Sequence, residues 1–150
     1  PDRQRSTAMQ RTSVNPKASD WGLRYGMDQG EVVTGATRHL RCSGQCALVS
    51  DADQPFGYRT LHVSDIAGQM RAALANIDAI LDGAGMGRQN IVFLRFFTVD
   101  VDAFLANYQI YADWIAPAGT RPPQSLLGLA RLATPDLLVE IECEACSNHL

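Results

Sequence analysis

The alternation of apolar and polar positions is clearest near the end of the chain. In "LLVEIECEAC" (residues 137–146), Leu137, Val139, Ile141, Cys143 and Ala145 fall on one side of a two-residue repeat. Leu138, Glu140, Glu142, Glu144 and Cys146 fall on the other. This is the pattern of a half-buried strand carrying three carboxylates in line. On a dry face they would repel one another, so the face is either wet or holds a glutamate in a pocket. "NIVFLRFFTVD" (90–100), rich in β-branched and aromatic residues, predicts a buried strand. In "SDIAGQMRAALANIDAILDGAG" (64–85) the period changes: Ile66, Met70, Leu74 with Ala73, Ile77 and Leu81 form one helical stripe. Ser64 can cap this helix, and Gly83 and Gly85 stop it. A second helix is predicted from Asp100 or Asp102 through Phe104, Leu105, Tyr108 and Tyr111, ending before Pro117. "VVTGATRHLRCSGQCALV" (32–49) predicts two strands about a turn at Gly35, and "QSLLGLARLA" (124–133) a further strand before a turn at Pro135 and Asp136.

The order strand–strand–helix–strand–helix–strand–strand predicts an α+β fold, one mixed β-sheet with two helices packed on one face. No helix remains for the other face, which points to oligomerisation. Residues 1–19 are polar and without periodicity and read as a flexible leader; residues 20–150 read as a single domain.

Composition narrows the function classes. With 150 residues, 46% apolar and 19% charged, the chain fits one soluble globular domain, and its net charge of −3 argues against nucleic acid as a partner. Lys17, in the leader, is the sole lysine against twelve arginines, so Schiff-base chemistry has no good candidate. No apolar run approaches the ~20 residues of a membrane span and no signal-peptide pattern is present, so a cytoplasmic location without membrane contact is expected. Cys42, Cys46, Cys143 and Cys146 are then expected as free thiols. Two cysteine pairs could hold zinc, but on a strand Cys143 and Cys146 point to opposite faces, and small buried thiols are the favoured reading. His39, His62 and His149 are scattered, with no partner nearby in sequence. Arg95 either marks the polar side of its strand or joins a buried ion pair. Phosphate loop, metalloprotease histidine pair and nucleophile elbow are all missing.

Five segments, in order and spacing, suggest a family: "YGMDQG" (25–30), "CSGQ" (42–45), "QMRAALANIDAILDGAG" (69–85), "FFTVDVDAF" (96–104) and "PPQSLLGLARLATPDLLVEIECEA" (122–145). Through them the chain resembles the Rid group, the YjgF-like reactive intermediate deaminases. The resemblance implies a chorismate-mutase-like (bacillus type) fold, assembled as a homotrimer with a central barrel of three sheets and pockets at the subunit interfaces. It also implies hydrolysis of short-lived enamines and imines to a keto acid and ammonia, with no metal or organic cofactor. Glu140 falls at the position of the water-positioning glutamate, and Ser43 with Gly44 at the pocket-lining "SGQ" strand.

The pattern breaks at Gln124, which stands where the deaminating members have the arginine of Pro-x-Arg-Ser. A neutral amide cannot form the two-pronged, charge-assisted pair that arginine offers a carboxylate. Losing one partner of such a buried pair costs on the order of 2–5 kcal/mol. Met27 replaces a tyrosine, with Tyr25 two residues earlier. A helix asparagine falls on Tyr108 or on Asn107, depending on the anchor chosen; the helix anchor favours Tyr108. Leu126 is a further candidate in the pocket. Arg121 could replace the missing cation, although strand direction is against it. Three readings follow. The leading one is an enzyme acting on an imine, an enamine or a related electrophile, its substrate not a simple 2-imino acid. The others are a non-catalytic trimer that binds a metabolite or partner, and an endoribonuclease, against which the charge argues. Retuned and lost chemistry would look alike at Gln124.

Overall fold

The structure is a computed structural model and describes residues 8–148; His149 and the first seven residues lie outside the described part. Its centre is a four-stranded sheet made of β3 (Arg38–Gln45), β6 (Ile91–Thr98), β7 (Gln124–Gly128) and β8 (Val139–Ser147), in the order β3-β8-β6-β7. The strand β8 runs antiparallel to both neighbours, whereas β6 and β7 are parallel, so the sheet is mixed. The period-two reading of β8 holds: Val139, Ile141, Cys143 and Ala145 are buried, and the glutamates share the opposite face.

The helix α1 (Ile66–Gly83) lies across β8 and β3, and buries Met70, Ala73, Leu74, Ile77 and Leu81. Its cap is Asp65, not Ser64. An N-cap needs extended backbone, which Asp65 has, and its carboxylate accepts from the Gly68 amide at 2.9 Å. Ser64 sits in the left-handed region at φ 61° and cannot serve. The single second helix expected from sequence is two. The first, α2 (Val101–Ala106), is capped by Asp100; the second, α3 (Gln109–Ile115), follows a break at Asn107 and Tyr108. There the Asn107 side chain donates to the Ala103 carbonyl at 2.9 Å, taking the acceptor of a continuing helix, while its amide bonds to Phe104. Phe96 of β6 packs under both helices, with ring centroids 5.2 Å from Phe104 and 4.9 Å from Tyr111.

The chain is regular where no element was expected. Within the leader, β1 (Gln10–Val14) pairs antiparallel with β2 (Gly30–Thr34). Hydrophobic pattern misses it because polar side chains hold it. The Arg11 guanidinium grips Glu31 at 2.8 and 3.0 Å and donates to the Ile91 carbonyl at 2.7 Å. Gly35 does take the left-handed turn conformation (φ 75°), but the strands on either side of it join different sheets. A further small hairpin pairs β4 (Leu48–Ser50) with β5 (Tyr58–Thr60).

The helix-free sheet face carries Phe93, Arg95 and Phe97 beside Glu144, Glu142 and Glu140. Arg95 marks the polar side of its strand, as expected; it pairs with Glu142 at 2.8 Å with its guanidinium 4.6 Å from the Phe93 ring centre, but the pair is partly exposed and not the buried one that was the alternative. Among the described residues no helix is long and apolar enough to cross a membrane.

Candidate functional site

At the edge of the sheet, β7, α2 and the 3₁₀ turn Asp20–Tyr25 enclose a cleft of about 710 Å³. Met27, Tyr108, Gln124 and Leu126 meet in it. Parallel pairing sets Gln124 beside Leu94 and Leu126 beside Phe96, two core residues, so both face the helix side of the sheet. The remaining walls were not anticipated: Trp21, Tyr25, Phe96, Phe104 and Leu105. One signal for them was in the sequence, the aromatic pair Trp21 and Tyr25 four residues apart. The pair stays 59% and 50% exposed, in edge-to-face contact at 6.4 Å.

The cleft has one polar end. Tyr108 Oη donates to the Tyr25 carbonyl at 2.7 Å and accepts from Gln124 Nε2 at 2.8 Å. A phenol has a single proton, and it is committed to Tyr25; Gln124 must therefore turn its NH₂ toward Tyr108. Its Oε1 is left buried without a hydrogen-bond partner among the described residues. Leaving a buried acceptor unpaired costs roughly 1–3 kcal/mol, which a ligand N–H or O–H would recover. Burial pushes the Tyr108 phenol above its ordinary pKa, partly offset by the Gln124 hydrogen bond, so it is protonated at neutral pH.

Glu140 is elsewhere. It lies across from Phe97, on the face opposite Phe96, Gln124 and Leu126. Its carboxylate rests over Gly44, where β3 bulges between Cys42 and Gln45. A Cβ on Gly44 would stand 1.8 Å from Glu140 Oε1, so glycine here is what lets the carboxylate take this place. Burial, followed by the charge and hydrogen-bonding of Glu140, pushes the Cys46 thiol up to about 12. Ser43 is exposed on the same bulge. The candidate residues thus fall into two groups on opposite faces of one sheet. Asn107 belongs to neither, since its amide is spent on Ala103.

Arg121 does not line the cleft that holds Gln124. Its Nε donates to Asp28 Oδ1 at 3.0 Å, outside the lining of the aromatic cleft. The cysteines are free and do not converge: Cys42 faces Cys143, Cys46 packs with Leu132 and Leu137, and Cys146 Sγ lies 3.2 Å from His39 Nδ1. His62 Nδ1 lies 4.0 Å from Asp65.

With this geometry in hand, comparison with known proteins is specific. The family model described as endoribonuclease L-PSP matches residues 30–147. The chain belongs to that family, the Rid or YjgF-like proteins. A RutC family protein of Synechocystis is 34% identical over 110 residues, 73% of this chain and 79% of the relative. The Rid family protein YyfB of Yersinia pestis, a protein of unknown function, superimposes with a TM-score of 0.74 at 30% identity, covering 91% of this chain and 98% of its own. Escherichia coli TdcF, solved with bound serine, does so at 0.61 and 27%, covering 79% and 86%. Rid membership supports a small-molecule role, deaminase-like or binding, and the α+β fold with its mixed sheet is the one these Rid neighbours share.

Proposed function

We propose that the protein is a Rid-type hydrolase of an imine or enamine whose reacting carbon carries no carboxylate. One observation carries this reading: the polar end of the aromatic cleft is an amide–phenol pair, Gln124 with Tyr108, and not a cation. A 2-imino acid would bring its carboxylate to a neutral amide whose orphaned atom is itself an acceptor. An imine or enamine N–H suits that Oε1 instead, with the substrate's apolar body against Trp21, Phe104 and Leu126.

Glu140 would draw a proton from water as the water adds to the imine carbon. Glu140 returns that proton to the former imine nitrogen, giving a neutral carbinolamine; its hydroxyl proton then passes to nitrogen as the C–N bond breaks, and ammonia and a carbonyl compound leave with Glu140 ionised again. An enamine would first take a proton on carbon to become the imine. Because Glu140, Ser43 and Gly44 lie across the sheet from the cleft, the two half-sites would meet only between copies, in a homotrimer. A cytoplasmic role in one metabolic pathway goes with this reading.

The test is ammonia release from benzaldimine generated in place by oxidation of benzylamine with O2 and a flavin amine oxidase, with no ammonia added. The wild type should exceed the buffer rate, and Glu140→Gln should reduce the excess by about 10²-fold or more. An unchanged rate in Glu140→Gln would contradict the reading. A second reading, a metabolite-binding trimer without catalysis, draws on TdcF, whose structure holds serine; there, affinity would survive Glu140→Gln with no turnover. Ribonuclease action, which the family name carries, has no support in a chain of net charge −3.

A further inference from the structure

Behind the Tyr25–Tyr108 hydrogen bond lies a second cleft of about 560 Å³, sharing those two tyrosines with the aromatic one. Its chemistry is different. Arg24 and Arg121 line it, and no carboxylate does. In a chain of net charge −3, a cavity wall with two cations and no acid is a local inversion of sign.

The cationic donors are available. Asp28, 4% exposed, takes only the Nε of Arg121, and neither Nη group of Arg121 has a partner among the described residues. Asp28 also accepts from Ser13 at 2.5 Å and Asn15 at 2.9 Å; its ion pair fixes Arg121 in place and offsets part of its charge, leaving the two Nη groups as open donors and Arg24 as the cation unpaired among the described residues. Arg24 makes no side-chain hydrogen bond or ion pair among the described residues, and its guanidinium carbon lies 6.0 Å from the Tyr25 ring centre. Thr120 adds a hydroxyl whose buried Oγ1 has no hydrogen-bond partner among the described residues. Two guanidinium groups and an idle hydroxyl around an acid-free hollow are the donor set for a carboxylate or a phosphate.

We infer that this cleft binds an anionic group of the ligand whose apolar body fills the aromatic cleft. The substrate class is then an aromatic or long apolar imine or enamine with a carboxylate or phosphate remote from the reacting carbon. This rests on the aromatic cleft being the substrate site. It relocates the negative charge to the far side of the two tyrosines, where Gln124 does not meet it.

The test is calorimetric titration without turnover, using 4-phenylbutyrate, phenyl phosphate and the neutral 4-phenylbutan-1-ol. The wild type should bind at least one anion tenfold or more tighter than the alcohol, and the better of the two anions tells carboxylate from phosphate. That preference should shrink as sodium chloride is raised. Arg24→Ala and Thr120→Val, both changes at the cleft wall, should each cut it several-fold and leave affinity for the alcohol unchanged. Equal binding of anions and alcohol, no binding of either anion, or a preference that persists in Arg24→Ala overturns the inference. Glu140→Gln should keep the preference. If it does while no imine is hydrolysed by the wild type, the hydrolase reading fails and the anion cleft stands; turnover without anion preference is the reverse.

Discussion

Gly44 and Glu140 compete for one volume. The carboxylate occupies the space a Cβ would take, 1.8 Å from its built position, so Gly44→Ala must displace Glu140 and leave its charge intact. The variant should lose activity on benzaldimine about as far as Glu140→Gln, roughly hundredfold, while keeping a near wild-type melting temperature. Full activity in Gly44→Ala would mean that the seat over the bulge is not the working position of Glu140. At this scale the sequence was partly legible. A period of two put Glu140 on the polar face of its strand, and helix anchoring put Tyr108 rather than Asn107 in the cleft. It could not show that Gln124 spends its NH₂ on Tyr108, because that bond joins residues brought together only by the turn into β7. Nor could it show that Arg121 answers to Asp28, a contact across 93 positions.

Among elements, the small β1–β2 ribbon depends on polar contacts, and Asp28 is their centre. Burial raises the Asp28 pKa, but hydrogen bonds from Ser13, Asn15 and Arg121 outweigh it and hold the carboxyl below its ordinary value of 3.8. A carboxylate depressed on folding stabilises the fold fully above the unfolded value and stops doing so as pH falls through the lower, folded one. Asp28→Asn should therefore lower the melting temperature at neutral pH and make it fall less steeply below pH 3.8 than in the wild type. Parallel curves for the two proteins would contradict this. The same polar dependence explains what pattern reading missed. The helix α1 was legible because it buries a broad apolar stripe; β1 was not, because Arg11, Ser13 and Asn15 fasten it with charge and hydrogen bonds. The break between α2 and α3 was hidden for a related reason: the apolar positions continue through it, and only the Asn107 side chain interrupts the backbone ladder.

For the molecule as a whole, element order sufficed to give the α+β class and its mixed sheet, and one helix-free face was foreseen. That face carries half-buried Phe93 and Phe97, with Leu127 39% exposed at the edge. Partly exposed aromatic and aliphatic side chains on a sheet are costly in water, and a second copy is the natural cover. Light scattering at micromolar concentration should give three times the chain mass of 16.4 kDa. A monomeric mass would leave Glu140 and Gln124 on opposite faces with nothing to join them. The separation of Glu140 from Gln124 was not legible either: within one chain the strand pairing sends them to different sides of the sheet.

On the proposed function, Gln124 directs the site away from carboxylates at the reacting carbon. The most direct measurement is ammonia release from freshly generated 2-iminopropionate and from benzaldimine, by wild type and by Gln124→Arg. The wild type should favour benzaldimine. The arginine variant should gain on 2-iminopropionate by roughly 30-fold or more, the size of a restored charge-assisted pair. A wild type that hydrolyses 2-iminopropionate as fast as Gln124→Arg would contradict the account.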